Sequence, residues 1–277
     1  MQEPFFRSWR KANPHKMIPG QKDLLVPPTR IFDQLSFIGT TKYACFVLET
    51  TDGLILLDCL NTGAQYVPLI EEGFADLGLD IRDLKAILIT HGHGDHYGRA
   101  DLLRERYGAK IYMSEVDFKY ARDANDPFSR FPDGPLPWAV DGYLEDGVPF
   151  CLGNTQVRIV STPGHTPGCL SFLIPVTDEG RAHLLALWGG TGVPGNPGRQ
   201  KLYLESWERF AQITEELGVD GELTNHPFVD QTVERLALLR TIVDGLPNPF
   251  VLGKEGYQYY ESMFRDMCLR RMAETKM

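Results

Sequence analysis

A short apolar run, Ala86-Ile87-Leu88-Ile89, leads directly into Thr90-His91-Gly92-His93-Gly94-Asp95-His96. The run reads as a buried strand. Where it ends, three imidazoles and a carboxylate must crowd into one loop at a sheet edge. Three of the chain's seven histidines fall within the six residues from His91 to His96. Alternate residues of an extended segment point the same way, so His91 and His93 share a face. Gly92 and Gly94 are expected to supply the backbone freedom for the turn that brings Asp95 and His96 round. Imidazole and carboxylate are good ligands for zinc and similar divalent ions.

Strands and helices alternate around this segment. Short β-rich runs cover Ile31–Ile38, Tyr43–Glu49 and Leu54–Asp58, with Asp52-Gly53 as a hairpin signal. Helices are expected at Gln65–Leu77, Gly98–Tyr107 and Ser114–Arg122, the last with Ser114 as N-cap. Later strands are expected at 155–161, 169–175 and 183–188, and helices at 205–217, 230–244 and 256–274. Residues 1–30, broken by five prolines, are read as an extended arm; residues 31–250 form the main domain. Residues 251–277 are expected as a C-terminal helix packed on that domain or at a dimer contact. Two successive halves of mixed strands and helices suit a layered α/β sandwich.

Two further histidines sit in constrained turns, Thr162-Pro163-Gly164-His165-Thr166-Pro167-Gly168 and Thr224-Asn225-His226-Pro227. The ordered set T-H-x-H-x-D-H, T-P-G-H-T-P-G and a late histidine resembles the metallo-β-lactamase superfamily over about residues 31–230. That resemblance implies a four-layer αββα sandwich with a metal site at one edge of the two sheets. It implies two divalent ions, zinc by family habit. His91, His93 and His165 would hold the first, and Asp95, His96 and His226 the second. Asp58, closing the run Leu54–Asp58, matches the family's early aspartate, which supports a metal ligand from behind; Thr90 is placed beside it. Asp95 is the catalytic candidate, binding the second ion and orienting or accepting a proton. The implied reaction is hydrolysis, in which a metal-activated water attacks the carbonyl of an amide, lactam, ester, lactone or thioester.

The pattern departs from the family at one point. Glyoxalase and lactonase types carry a Gly-Asp pair after the penultimate strand, whose aspartate bridges both metals. Here the residues are Leu187-Trp188-Gly189-Gly190-Thr191-Gly192, without a carboxylate. The histidine-rich third lactamase subclass is therefore the nearest resemblance, and weaker occupancy of the second metal site is expected. Thr191 and Gly190 are candidate substrate contacts; the alternative is a tight turn touching no ligand. Phe128, Phe131 and Trp138 are read either as an apolar wall or as anchors of the loop 123–139. Arg199 and Lys201 could bind a substrate carboxylate or remain solvated loop charges. A metallo-β-lactamase proper and an iron-dependent redox enzyme are the competing readings. The diiron flavoprotein type, however, has a glutamate where His93 stands.

Charge narrows the partners. The 28 Lys and Arg against 37 Asp and Glu give a formal charge of −9, which opposes nucleic-acid binding. A small-molecule substrate is expected instead. No run of 18 apolar residues suggests a membrane span, and the first residues lack the apolar core of an export signal, so a cytoplasmic location is expected. The odd number of cysteines, five, without C-x-x-C spacing, reads as reduced thiols.

Overall fold

A computed structural model describes residues 23–63, 65–123, 138–241 and 246–275. The first sheet contains β1 (Leu25–Phe32), β2 (Leu35–Thr40), β3 (Ala44–Thr50), β4 (Gly53–Leu57), β5 (Leu84–Leu88), β6 (Lys110–Met113) and β7 (Gly142–Tyr143), side by side in sequence order. Pairing is antiparallel from β1 to β4 and parallel from β4 to β7. The second sheet, of β8 (Phe150–Leu152), β9 (Thr155–Ser161), β10 (Leu170–Asp178), β11 (Arg181–Leu187) and β12 (Gly221–Leu223), runs in the order β12-β11-β10-β9-β8.

Alternation along the strands builds the layers. Phe37, Phe46, Leu48, Ile55, Leu57 and Leu88 face Phe172, Ile174, Leu185, Leu187 and Leu223 in one core between the sheets. The other face of the first sheet, with Ile38, Val47, Leu56 and Ile87, packs on α1 (Tyr66–Asp76) and α3 (Ala100–Tyr107). The other face of the second sheet offers Leu173, Ala186 and Trp188 to α5 (Pro197–Leu217) and α7 (Gly253–Thr275). The result is the αββα sandwich. The remaining helices are α2 (Gly94–Tyr97), α4 (Glu115–Tyr120) and α6 (Thr232–Thr241).

Three expectations change. The run Ile31–Ile38 is not one strand: β1 and β2 form a hairpin that turns at Asp33 and Gln34. Its first strand begins at Leu25, inside the segment assigned to the arm. Pro27 and Pro28 are tolerated because β1 is the sheet edge, where a register shift between Val26 and Thr29 skips them. The helix expected from 205 begins eight residues earlier, at Pro197. Asn196 caps it, accepting from the Gly198 and Arg199 amides, and proline suits the first turn because its missing N–H has no intrahelical partner there.

All five cysteines are free. Among the described residues, no helix is long and apolar enough to cross a membrane.

Candidate metal centre

Every histidine-bearing loop leaves its strand at the same edge of the sandwich. Residues 89–96 follow β5, 162–168 follow β9, and 224–231 follow β12. The edges of the sheets are tied there by Leu170 N donating to Thr90 O at 2.8 Å.

The six expected ligands converge as two groups. His91, His93 and His165 place one donor atom each within 4.8 Å of one another, and so do Asp95, His96 and His226. The rings of His91 and His96, with centroids 3.9 Å apart, join the groups. Most rings are oriented by one nitrogen, leaving the other for a ligand role. His96 Nδ1 lies 2.8 Å from Asp58 Oδ2, His165 Nδ1 lies 2.6 Å from Gly192 O, and His226 Nδ1 lies 2.9 Å from Lys42 O. His91 Nδ1 is 3.1 Å from Thr90 Oγ1, and His93 Nε2 is 3.3 Å from Tyr120 Oη. The atoms left over point inward: His93 Nδ1 and His165 Nε2 are 3.1 Å apart.

The fit to metal rests on two orphans. His91 Nε2 and His96 Nε2 are buried and have no hydrogen-bond partner, in side chains that are 1% exposed. An unsatisfied buried imidazole nitrogen is costly unless something occupies the point it faces. Electrostatics agree. Burial, then the neighbouring imidazoles, hold His91 well below the usual histidine range. Burial, opposed by the Gly192 carbonyl, takes His165 down to about 4. Burial also lowers His93 and His226. These rings are neutral at pH 7, as ligands must be. His96 goes the other way: burial lowers it, but Asp95 and Asp58 outweigh that and raise it. Burial would raise Asp95, but His96, His226 and His93 outweigh it and lower the carboxyl.

Asp58 and Thr90 lie together behind His96. Asp58 Oδ1 accepts from the Thr90 amide at 2.7 Å and Oδ2 from the Thr90 hydroxyl at 2.8 Å. The substrate candidates fare differently. Gly190 backs onto His165: a Cβ there would lie 2.4 Å from His165 Cβ. Its carbonyl accepts from Trp188 Nε1 at 2.7 Å. Thr191, between these packed glycines, is buried. Arg199 lies in the first turn of α5, not in a loop, and gives Nε to Gly164 O at 3.0 Å and Nη2 to His165 O. It braces the His165 turn. Lys201 pairs with Glu205 at 3.7 Å. Trp138 lies edge-on to Tyr97, with ring centroids 5.8 Å apart. Phe128 and Phe131 lie outside the described residues, as does most of the loop 123–139.

The glycine expectation is also revised. Neither Gly92 nor Gly94 has positive φ. Gly92 is small because α4 passes over it: a Cβ would meet Asp117 O at 2.9 Å. Three contributors escaped sequence reading. Asn225 donates Nδ2 to Gly189 O at 2.7 Å, and Tyr120 reaches His93. Asp117, fully buried, accepts hydrogen bonds from the loop of His91 and His93 and from the turn of His165. Its visible signal was an acid three residues after the Ser114 cap, which reads as ordinary capping.

Two stacked mixed sheets between helices, with paired donor triads on the loops at one edge, define a metallo-β-lactamase-fold metal protein. The metallo-beta-lactamase superfamily model matches residues 39–178, and the chain belongs to that superfamily of metal-dependent, typically zinc, hydrolases. A probable polyketide biosynthesis zinc-dependent hydrolase, BaeB of Bacillus velezensis, is 39% identical over 98 residues, 35% of this chain and 36% of that one. The hydroxyacylglutathione hydrolase GloC of Haemophilus influenzae is 31% identical over 100 residues, 33% of this chain and 44% of that one. The matches thus span about a third of the length of the first curated relatives. Among solved structures, the subclass B3 metallo-beta-lactamase BJP-1 of Bradyrhizobium japonicum superposes with a TM-score of 0.78 at 26% identity, over 92% of this chain and 96% of that one. The metallo-beta-lactamase FEZ-1 of Legionella gormanii gives 0.79 at 25% identity, over 93% and 100%.

Proposed function

We propose that this chain is a zinc-dependent hydrolase of a small carbonyl compound, using two metal ions, with Asp95 at the reacting end of the site. The observation that carries this reading is the pair of buried, unpartnered nitrogens, His91 Nε2 and His96 Nε2, each inside a convergent triad. Bound there, divalent ions supply an acidified water near neutral pH and an electrophile for the carbonyl oxygen.

The chain's own residues do the rest. Asp58 and the Gly192 and Lys42 carbonyls fix the ring tautomers, so that in the neutral rings of His96, His165 and His226 the hydrogen lies on Nδ1 and Nε2 is bare. Asp95 Oδ1 lies 3.6 Å from His96 Nε2 and Oδ2 lies 3.9 Å from His226 Nε2. Its lowered pKa keeps it a carboxylate, able to accept a hydrogen bond from the attacking water and so orient it. No carboxylate stands in the run Trp188–Gly192, so the second ion is held less tightly than the first. The substrate is a lactam, ester, lactone, amide or thioester. A lactam is favoured among these because lactamase chains are matched nearly end to end.

The test is turnover of nitrocefin, homoserine lactones, S-lactoylglutathione and p-nitrophenyl esters, with zinc and with chelator. Hydrolysis of at least one, abolished by chelator and restored by zinc, is expected. Chelator-resistant turnover, or oxygen consumption by an iron-loaded form, would contradict it.

A further inference from the structure

We propose that Asp117, on α4, is the positioning residue of the three-histidine site, setting the distance between the loop that carries His91 and His93 and the turn that carries His165. This rests on the reading of those histidines as ligands.

The carboxylate spans two segments that are remote in sequence. Asp117 Oδ2 accepts from Gly92 N at 2.7 Å, between the first two ligands, and from Thr166 Oγ1 at 2.6 Å, directly after the third. Asp117 Oδ1 accepts from Gly168 N at 2.6 Å. A carboxylate is the small side chain with enough lone pairs to accept all three at once; an amide or hydroxyl would leave a donor unmet.

The surrounding sequence is cut to fit. A Cβ on Gly168 would lie 2.4 Å from Ser114 Oγ and 2.5 Å from Asp117 N. Ser114 Oγ, at the N-cap of α4, also donates to Gly168 O at 2.6 Å, so both the N–H and the carbonyl of Gly168 are held. On the same helix, Tyr120 Oη lies 3.3 Å from His93 Nε2. One six-residue helix thus holds two of the three first-site ligands from behind. The donors to Asp117 are all neutral, and burial, against those hydrogen bonds, pushes its carboxyl up to about 6. A fully buried acid without a hydrogen-bonded cation is a poor stabilising device, which favours a geometric reason for its presence. The hydrogen bonds to Asp117 come from the segments that carry His91, His93 and His165, so the effect falls on that triad.

The experiment measures metal affinity site by site. Wild type, Asp117→Asn, Thr166→Val and Thr166→Ser are titrated with Co(II) against a chromophoric chelator, following the ligand-field bands, with melting temperature and circular dichroism as controls for folding. Asp117→Asn and Thr166→Val should weaken one equivalent by about 10- to 100-fold, as loss of a ligand's supporting partner does. The other equivalent should stay within about threefold, and Thr166→Ser should restore both. If Asp117→Asn does not fold, the valine and serine variants decide alone, because Thr166→Val leaves the Asp117 carboxylate and two of its bonds intact. Unchanged affinities, or equal weakening of both equivalents, would overturn the proposal. Wild type that binds no equivalent, or that still binds its tighter equivalent after His165→Ala, would overturn the reading of those histidines as ligands, and this inference with it.

Discussion

Asp58 Oδ2 lies 2.8 Å from His96 Nδ1, and both side chains are 1% exposed. The same carboxylate takes the amide and hydroxyl of Thr90, so neither oxygen is free to turn. When neutral, His96 therefore carries its hydrogen on Nδ1 and presents a bare Nε2. Asp58→Asn keeps the shape but places an N–H donor against His96 or against the Thr90 amide. We expect the second-site affinity to fall about 10- to 100-fold, with the first site retained. Competition titration of the purified variant measures this.

Acid should loosen the metal-free fold. His165 is held down at about 4, and His91, His93 and His226 are lowered too, whereas an unfolded histidine titrates near 6.5. Between those values the unfolded chain binds more protons than the folded one, so stability falls as pH drops from about 6.5 toward 4. His96, raised, opposes this: its contribution is full at low pH and is lost as pH rises through its folded value. The lowered rings therefore cost stability on acidification, while His96 and the raised carboxyls of Asp117, Glu222 and Glu261 oppose them. Melting temperatures in chelator at pH 7.5, 6.5, 5.5 and 5.0 should fall more steeply below pH 6.5 in wild type than in His165→Ala, which lacks the ring held at about 4. Equal slopes in the two proteins would contradict it.

The glycines after β11 are predicted to be a cradle for His165. Gly190→Ala puts a methyl group into the His165 side chain, at 2.4 Å from Cβ, whereas Gly195 has open space around it. Gly190→Ala should cost about 1–3 kcal/mol and weaken the first metal site. Gly195→Ala should be neutral. Denaturant unfolding of the two variants separates these outcomes.

Arg235 closes the loop that bears His226. It donates Nη1 to Asp230 at 2.8 Å and to Glu222, from the two sides of that loop, and lies 4.1 Å over the Phe250 ring. Both carboxylates are fully buried. Arg235→Met leaves them without a counter-charge, a loss of about 3–5 kcal/mol. Urea unfolding at neutral pH gives the figure directly. The loss should shrink when Glu222→Gln is added.

The residues of the two converging triads were legible because each lies in a short, local pattern: His91, His93, Asp95 and His96 on one loop, and His165 and His226 at turns fixed by proline or glycine. The supports were not, because they act across the fold. Asp117 meets Thr166 across 49 positions, and Lys42 meets His226 across 184. Helix α5 was read too short because Pro197 and Gly198 look like loop residues until Asn196 is recognised as their cap. Arg199, visible as a loose cation, is committed to the carbonyls of Gly164 and His165. The β1 edge strand was hidden by its prolines, which only an edge position permits.

The two triads are proposed to hold one ion each. Elemental analysis of zinc per chain, after removal of loosely bound metal, tests it in wild type, His165→Ala and His226→Ala. Two equivalents in wild type and one in each variant are predicted, with chains that remain folded. Two equivalents surviving either substitution, or fewer than one in wild type, would contradict it.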